Sequence, residues 1–162
     1  MYKVGVITVS DKGYAGERED LSAPAIIECL DKSLYEVAFV EMVPDERDMI
    51  RDKLIELCDK GAALILTTGG TGFSKRDVTP EATMDVAGRN VPGIAEAIRS
   101  MSLKYTGRAM LSRAVSVIRD DTLIINLPGS PKAVRECMEF IMDSVGHGLD
   151  ILLGNDGDCA RS

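Results

Sequence analysis

The stretch Thr67-Thr68-Gly69-Gly70-Thr71-Gly72-Phe73-Ser74-Lys75-Arg76-Asp77-Val78-Thr79-Pro80-Glu81 gathers residue types that can hold an anion. Glycines let backbone approach a ligand closely. Free N–H groups beside a helix start favour negative charge. Thr79-Pro80 reads as such a start, with Thr79 as N-cap and Pro80 at the first helical position. Asp77 conflicts with a plain phosphate cradle, because a carboxylate repels phosphate; a divalent cation resolves the conflict. The loop therefore reads as a magnesium–phosphate site. Thr68, Gly69, Gly70, Thr71, Gly72 and Ser74 surround the ligand, and Asp77 serves the metal. The glycines alone would fit an ordinary strand-to-helix turn; Lys75-Arg76-Asp77 and the clean helix start shift the reading. Two familiar phosphate loops fail on spacing. A Walker A loop would need its second glycine at Ser74 or Lys75, and a dinucleotide fingerprint would need its last at Lys75.

Asp45 is the second acid of interest. It follows Pro44 just before a helical pattern, so N-capping explains it as well as metal binding does. With Asp77 it would give magnesium the one or two protein carboxylates it usually takes beside phosphate oxygens and water. Pro128-Gly129-Ser130-Pro131-Lys132 is another anion candidate, with Ser130 as N-cap of the last helix and Lys132 near it. An ordinary turn also accounts for it in isolation. Two helix starts on one edge suit a long ligand with two phosphate regions. Ser112-Arg113 adds a hydroxyl and a cation. The single histidine, His147, lies near the C-terminus, so no Ser-His-Asp arrangement is available.

Placing these residues requires the elements around them. Lys3 to Val9 reads as a buried strand, followed by a polar loop from Ser10 to Glu19 and a helix from about Leu21 to Leu30. Tyr35 to Val43 alternates like a second strand. Ile50, Leu54, Leu57 and Cys58 stripe the helix that Asp45 would cap, which ends at Gly61. Ala63 to Thr67 is a third strand, and Pro80 to Ala87 a short helix. A longer helix runs from Ile94 to Tyr105. Ala114 to Arg119 and Thr122 to Leu127 form a hairpin around Asp120-Asp121, so one strand runs against the rest. Val134, Cys137, Met138, Ile141 and Val145 face inward on the C-terminal helix. His147 to Leu153 reads as a further helical piece.

This alternation predicts an α/β three-layer sandwich: a mostly parallel sheet with one antiparallel strand and helices on both faces. Four loops should then meet at the carboxyl edge: Ser10-Asp11-Lys12, Pro44-Asp45, Gly69 to Thr79 and Leu127 to Pro131. Every chemically interesting segment falls among them.

The 162 residues suit one domain, residues 1–154, with a polar tail at 155–162. The chain carries 19 basic and 26 acidic residues, a formal charge of −7. With few aromatics and no basic stripe, nothing points to nucleic acid. An anionic ligand needs a local positive patch, for which Lys75, Arg76, Arg108, Arg113 and Lys132 are placed. The sequence predicts no signal peptide and no membrane span, and a cytoplasmic protein. Cys29, Cys58, Cys137 and Cys159 form no C-x-x-C pair and read as reduced.

Taken together, Val9-Ser10-Asp11, Val43-Pro44-Asp45-Glu46, Leu66 to Gly72, Arg76-Asp77-Val78-Thr79-Pro80-Glu81-Ala82, Leu111-Ser112-Arg113 and Leu127 to Lys132 resemble the molybdopterin adenylyltransferases of molybdenum cofactor synthesis. The chain is similar also to the G domains of gephyrin and the plant Cnx proteins. The resemblance spans the first strand to about Leu153, and the tail matches nothing in the family. It implies the same sandwich fold. It implies that ATP, as co-substrate, and Mg²⁺ meet molybdopterin, whose phosphate attacks the α-phosphorus to give adenylyl-molybdopterin and pyrophosphate. Asp45 and Asp77 would then be catalytic and metal-binding. Ser10, Asp11, Thr68 to Gly72, Ser74, Ser112, Arg113, Pro128, Gly129, Ser130 and Lys132 would bind substrate. The alternative within the family is a non-catalytic molybdopterin carrier. A homotrimer and contacts with other proteins of cofactor synthesis are further implications. Met101 and Leu103 lie on different sides of their helix, so that helix, with Leu149, Leu152 and Leu153, is the expected subunit contact.

Overall fold

The computed structural model describes residues 1–155; the expectations for Cys159 and for the tail after Asn155 lie outside the described residues. In chain order the elements are β1 (Tyr2–Val9), α1 (Asp11–Tyr14), α2 (Ser22–Cys29), β2 (Tyr35–Val43), α3 (Arg47–Asp59), β3 (Leu64–Thr68), α4 (Thr79–Asp85), β4 (Arg89–Asn90) and α5 (Pro92–Ser102). A 3₁₀ turn (Gly107–Leu111), β5 (Ser116–Arg119), β6 (Thr122–Leu127) and α6 (Pro131–Leu152) complete them.

The strands form one six-stranded sheet ordered β2-β1-β3-β6-β5-β4. β2, β1, β3 and β6 pair in parallel, while β5 runs antiparallel to both neighbours. The predicted hairpin and its single opposed strand are therefore present. The two-residue β4 was not expected, since Arg89-Asn90 carries no apolar alternation. Strand order reverses between β1 and β3: the chain passes outward to β2 and then returns to the other side of β1. That is where a crevice opens at the carboxyl ends of parallel strands.

Side chains alternate across the sheet and divide the core. Leu64 and Leu66 of β3 with Leu123, Ile125 and Leu127 of β6 meet α2, α5 and α6 through Ile26, Ile98, Val134, Met138 and Ile141. On the other face, Ile7, Ile65 and Ile124 meet Ile50, Leu54 and Leu57 of α3 and Ala82 of α4. Each large side chain fully buried this way contributes about 1.5–3 kcal/mol relative to exposure.

Three local expectations are corrected. Residues 147–153 are not a separate helix, because α6 continues through them. Glycine inside a helix costs about 1 kcal/mol. Buried Val145 and Leu149 carry the helix across Gly146, whose missing Cβ leaves room for the Tyr35 hydroxyl, 3.2 Å from where that Cβ would be. Leu149 has no exposed surface, so it packs in this chain's own core and offers nothing to a subunit contact. The loop after β1 is not irregular throughout: α1 forms in it, with Ser10 accepting the Gly13 N–H at 3.0 Å as N-cap. Among the described residues no helix is long and apolar enough to cross a membrane.

Candidate active site

The four expected loops do leave the carboxyl ends of β1, β2, β3 and β6 on one edge of the sheet. A cleft of about 440 Å³ opens there, lined by Ser10, Asp45, Thr68, Gly69, Gly70, Asp77 and Gly129 among others. A larger concavity of about 720 Å³ lies at the opposite edge, around Lys3, Ala63 and Thr122. Its described lining has neither a glycine loop nor a helix start, so size does not identify the site and chemistry does.

Two glycines are indispensable to the loop after β3. Gly69 and Gly70 have φ of +93° and +68°. A Cβ on Gly69 would stand 2.4 Å from the Val9 carbonyl oxygen, and one on Gly70 would stand 2.3 Å from Thr79 Oγ1. The loop is thus folded flat against β1 and α4, leaving its other side to the cleft. The Thr68 hydroxyl donates to the Pro128 carbonyl at 2.6 Å, and Ser22 Oγ donates to the Gly129 carbonyl at 2.7 Å. These bonds hold the 128–130 turn beside the glycine loop.

Thr79 and Asp45 do not cap helices as their sequence context suggests. Thr79 lies inside α4, and Val78 before it makes no side-chain cap. The buried Thr79 hydroxyl donates to the Gly69 carbonyl at 3.0 Å, while its N–H donates to Gly70 O at 3.1 Å. At α3 the residue before the helix is Glu46, also without a side-chain cap. Asp45 Oδ2 accepts the Asp11 N–H at 2.8 Å, and Asp11 Oδ1 accepts the Asp45 N–H at 3.0 Å. Capping therefore no longer competes as an explanation for Asp45. Ser130, in contrast, is the N-cap of α6, through a long 3.5 Å bond from the Ala133 N–H.

The electrostatics favour a cation in the cleft. Burial raises the Asp45 carboxyl above its ordinary range, and the negative charges of Asp11 and Asp77 push it further, against a bond from the Asp11 N–H and the charge of Arg76. Asp11 moves the other way, because Arg76 grips it in a two-pronged ion pair at 3.0 Å. Arg76 also reaches Glu46 at 2.9 Å. Arg76, one of the five cations that the sequence offers to an anionic ligand, is thus already engaged with two acids. Asp77 has a structural duty as well: its Oδ2 accepts the Ser74 N–H, and its own N–H donates to Ser74 O, both at 3.0 Å. Among the described residues, the carboxylate bonds of Asp45 and Asp77 fall on Oδ2 of each, and the other oxygen of each has no hydrogen-bond partner. Two carboxylates repelling across a glycine loop, each with an oxygen to offer, fit Mg²⁺, which takes few protein ligands. No group of three or more acidic, His or Cys side chains among the described residues makes a closed metal cage.

The other predicted residues are spread more widely. Thr71, Gly72, Ser112 and Pro128 line a second, mainly apolar cavity of about 260 Å³ on the far side of the glycine loop. Ser74 and Lys132 are exposed outside both. The Arg113 guanidinium points at the glycine loop's own backbone.

Sequence reasoning missed Asp20. Its Oδ1 accepts the Ser22 and Ala23 N–H groups at the start of α2, at 3.0 and 3.1 Å, and Oδ2 accepts the Thr8 hydroxyl at 2.6 Å. It lines the cleft with Arg18 and Glu19. The signal was present, as an acid just before a helical run. Cys29, Cys58 and Cys137 are free cysteines, and burial pushes their thiols up.

A mostly parallel sheet with two acids and a glycine loop at its switch point defines a ligand-binding α/β domain. Comparison with known proteins assigns it further. Residues 5–147 match the family model described as a probable molybdopterin binding domain, and the chain belongs to that family. It is 46% identical over 155 residues to the molybdopterin adenylyltransferase of Helicobacter pylori, covering 94% of this chain and 88% of that protein. It is 43% identical over 154 residues to the Escherichia coli molybdopterin adenylyltransferase, covering 91% and 79%. Among solved structures it is similar to the molybdopterin biosynthesis enzyme MoaB of Thermus thermophilus. That match has a TM-score of 0.90 and 49% identity over 95% of this chain and 98% of the other. The resemblance read from the motifs and the fold drawn from the alternation both hold.

Proposed function

We propose that this protein is a molybdopterin adenylyltransferase, joining the terminal phosphate of molybdopterin to the AMP portion of ATP in molybdenum cofactor synthesis. The names of relatives at 43–46% identity support that reading. The observation that carries it is the pairing of Asp45 and Asp77 at the glycine loop, because a protein that only holds a pterin needs no pair of carboxylates there. A phosphate oxygen of the pterin forms a bond to the α-phosphorus, and the bond to the bridging oxygen breaks. Pyrophosphate departs with that electron pair. The nucleophile is already an anion, so no general base is required, and the work is positioning and charge neutralisation.

Asp45 and Asp77 would hold Mg²⁺, which when bound neutralises phosphate charge. Ser10, Asp11, Thr68, Gly69, Gly70, Thr71, Gly72 and Ser74 would shape the nucleotide side. Pro128, Gly129, Ser130 and Lys132 would take the pterin phosphate at the start of α6, with Ser112 nearby. Arg113, expected from the resemblance to bind substrate, instead supports the glycine loop, as argued below. We further propose a cytoplasmic homotrimer whose α5 surface supplies the contact. Leu103 and Tyr105 are 47% and 62% exposed just beyond it.

Incubation of the purified protein with molybdopterin and Mg-ATP should yield adenylylated pterin and pyrophosphate in equal amounts. Tight pterin binding without pyrophosphate would make the protein a carrier instead.

A further inference from the structure

Arg113 lies between the 3₁₀ turn and β5, far in sequence from the glycine loop, yet two of its guanidinium nitrogens turn to that loop and the third turns to the helix that follows it. Nε donates to the Gly72 carbonyl at 2.8 Å, and one terminal nitrogen donates to the Asp77 carbonyl at 2.8 Å. The other pairs with Glu81 in the first turn of α4. The Arg113 N–H adds a bond to Thr71 O at 2.9 Å. One rigid fork therefore joins the two ends of the 72–77 segment to each other and to the helix that follows. Between those ends, Phe73, Ser74, Lys75 and Arg76 are exposed, and the other ties of the segment are the Arg76 ion pairs to Asp11 and Glu46 on its outer side and the bonds between Ser74 and Asp77.

We infer that the Arg113–Glu81 pair is a positioning strut that holds the 72–77 loop, and with it Asp77, in working geometry, and that Arg113 does not act on substrate phosphate. Three acceptors in different directions suit the planar guanidinium; a lysine ammonium on a flexible stem would reach one of them. Glu81 depends on Arg113 in turn. Its Oε2 is buried with no hydrogen-bond partner among the described residues, so loss of Arg113 would strip a part-buried carboxylate of its bonded cation and leave only the more distant charge of Arg47. The strut explains why a cation that looks like a phosphate ligand in sequence is placed behind the loop. Its effect on turnover rests on the adenylyltransferase reading, whereas its effect on the loop does not.

Trypsin reports the loop directly, because Lys75 and Arg76 are its exposed cleavage sites. In Arg113→Ala, cutting at Lys75 and Arg76 should quicken on the order of tenfold, while cutting elsewhere stays as in the parent. The kcat for adenylyl transfer should fall on the order of a hundredfold, as expected when a reacting group shifts by about 1 Å. Arg113→Lys should restore neither. Glu81→Gln keeps an acceptor but loses the charge. It should quicken the same cuts several-fold, and it carries the test if Arg113→Ala fails to fold. Recovery of loop protection and kcat by Arg113→Lys would overturn the strut, leaving Arg113 as a point charge. So would a raised KM for ATP with kcat and loop cleavage unchanged, since that is the pattern of a direct substrate contact. If the parent protein forms no adenylylated pterin, the functional reading fails, and the cleavage rates still decide the strut.

Discussion

Asp11 and Asp45 bind each other's backbone: each carboxylate accepts the N–H of the other residue, at 2.8 and 3.0 Å. This reciprocal clasp joins the loops after β1 and β2, on either side of which the cleft opens. It also brings two acids together, and the pair resolves the repulsion unequally. Arg76 takes Asp11, and Asp45 is left partly buried facing Asp77.

Asp45 should therefore trade stability for function. Burial raises its carboxyl in the folded state, so between the ordinary carboxylate value and that raised value the native protein holds more protons than the unfolded chain. Stability falls as pH rises through that window, and the penalty is complete above it. Asp45→Asn can still accept the Asp11 N–H but carries no charge. With EDTA present, its Tm relative to the parent should climb as pH rises through the window and stay higher at pH 7. Turnover should fall on the order of a hundredfold, as for loss of a central electrostatic group. Equal Tm at every pH would remove the burial argument, and normal turnover would remove the metal assignment.

Asp77→Asn should keep the loop closed, because an amide oxygen can still accept the Ser74 N–H that Asp77 Oδ2 now holds at 3.0 Å. The charge is lost to any metal. Adenylyl transfer should nearly vanish, with trypsin cleavage at Lys75 and Arg76 unchanged. Near-normal turnover at limiting Mg²⁺ would show that Asp77 is not a metal ligand.

The glycines give a graded comparison. Gly61 and Gly70 both have positive φ, but a Cβ on Gly61 meets nothing within 4 Å, whereas one on Gly70 meets Thr79 Oγ1 at 2.3 Å. Gly61→Ala should cost about 1–2 kcal/mol, the ordinary left-handed penalty. Gly70→Ala adds a clash with a buried hydroxyl and should cost clearly more, with loss of ATP binding. Urea titration of both checks the order, and equal costs would mean that the loop moves aside freely.

Much of this was legible in the sequence because period and face are local properties. Leu64 and Leu66 against Ile65 announce a strand buried on both sides, and the turn residues around it place the glycine loop at the carboxyl edge. Hydrogen-bond partners are not local. Asp45 after Pro44 and Thr79 before Pro80 both satisfy the pattern of an N-cap, but in each a tertiary partner wins: the Asp11 N–H for one and the Gly69 carbonyl for the other. Arg113 reads as an anion ligand until its three acceptors are seen. The break expected near His147 follows the glycines there, which packing against Tyr35 overrides.

Beneath the loop, a buried polar chain runs from the sheet to α4. Asn126 Oδ1 accepts the Val115 N–H at 3.1 Å, and Asn126 Nδ2 donates to Thr67 and Thr83 hydroxyls, each at 3.0 Å. Thr83 Oγ1 donates to the Thr79 carbonyl at 2.8 Å, and Thr79 Oγ1 donates to Gly69 O. Removing one hydroxyl at a time should separate scaffold from site. Thr83→Val preserves shape but leaves an Asn126 N–H buried without its partner, which should cost about 1–3 kcal/mol. Its KM for ATP should hardly change, because Thr79 still anchors the glycine loop. Thr79→Val should cost a similar amount of stability and also raise the KM for ATP several-fold, because Gly69 loses the bond that holds it flat. Urea melts with ATP titrations of both variants make the comparison. If the two variants shift KM alike, the chain acts as one structural unit, and Thr79 has no separate hold on the nucleotide loop.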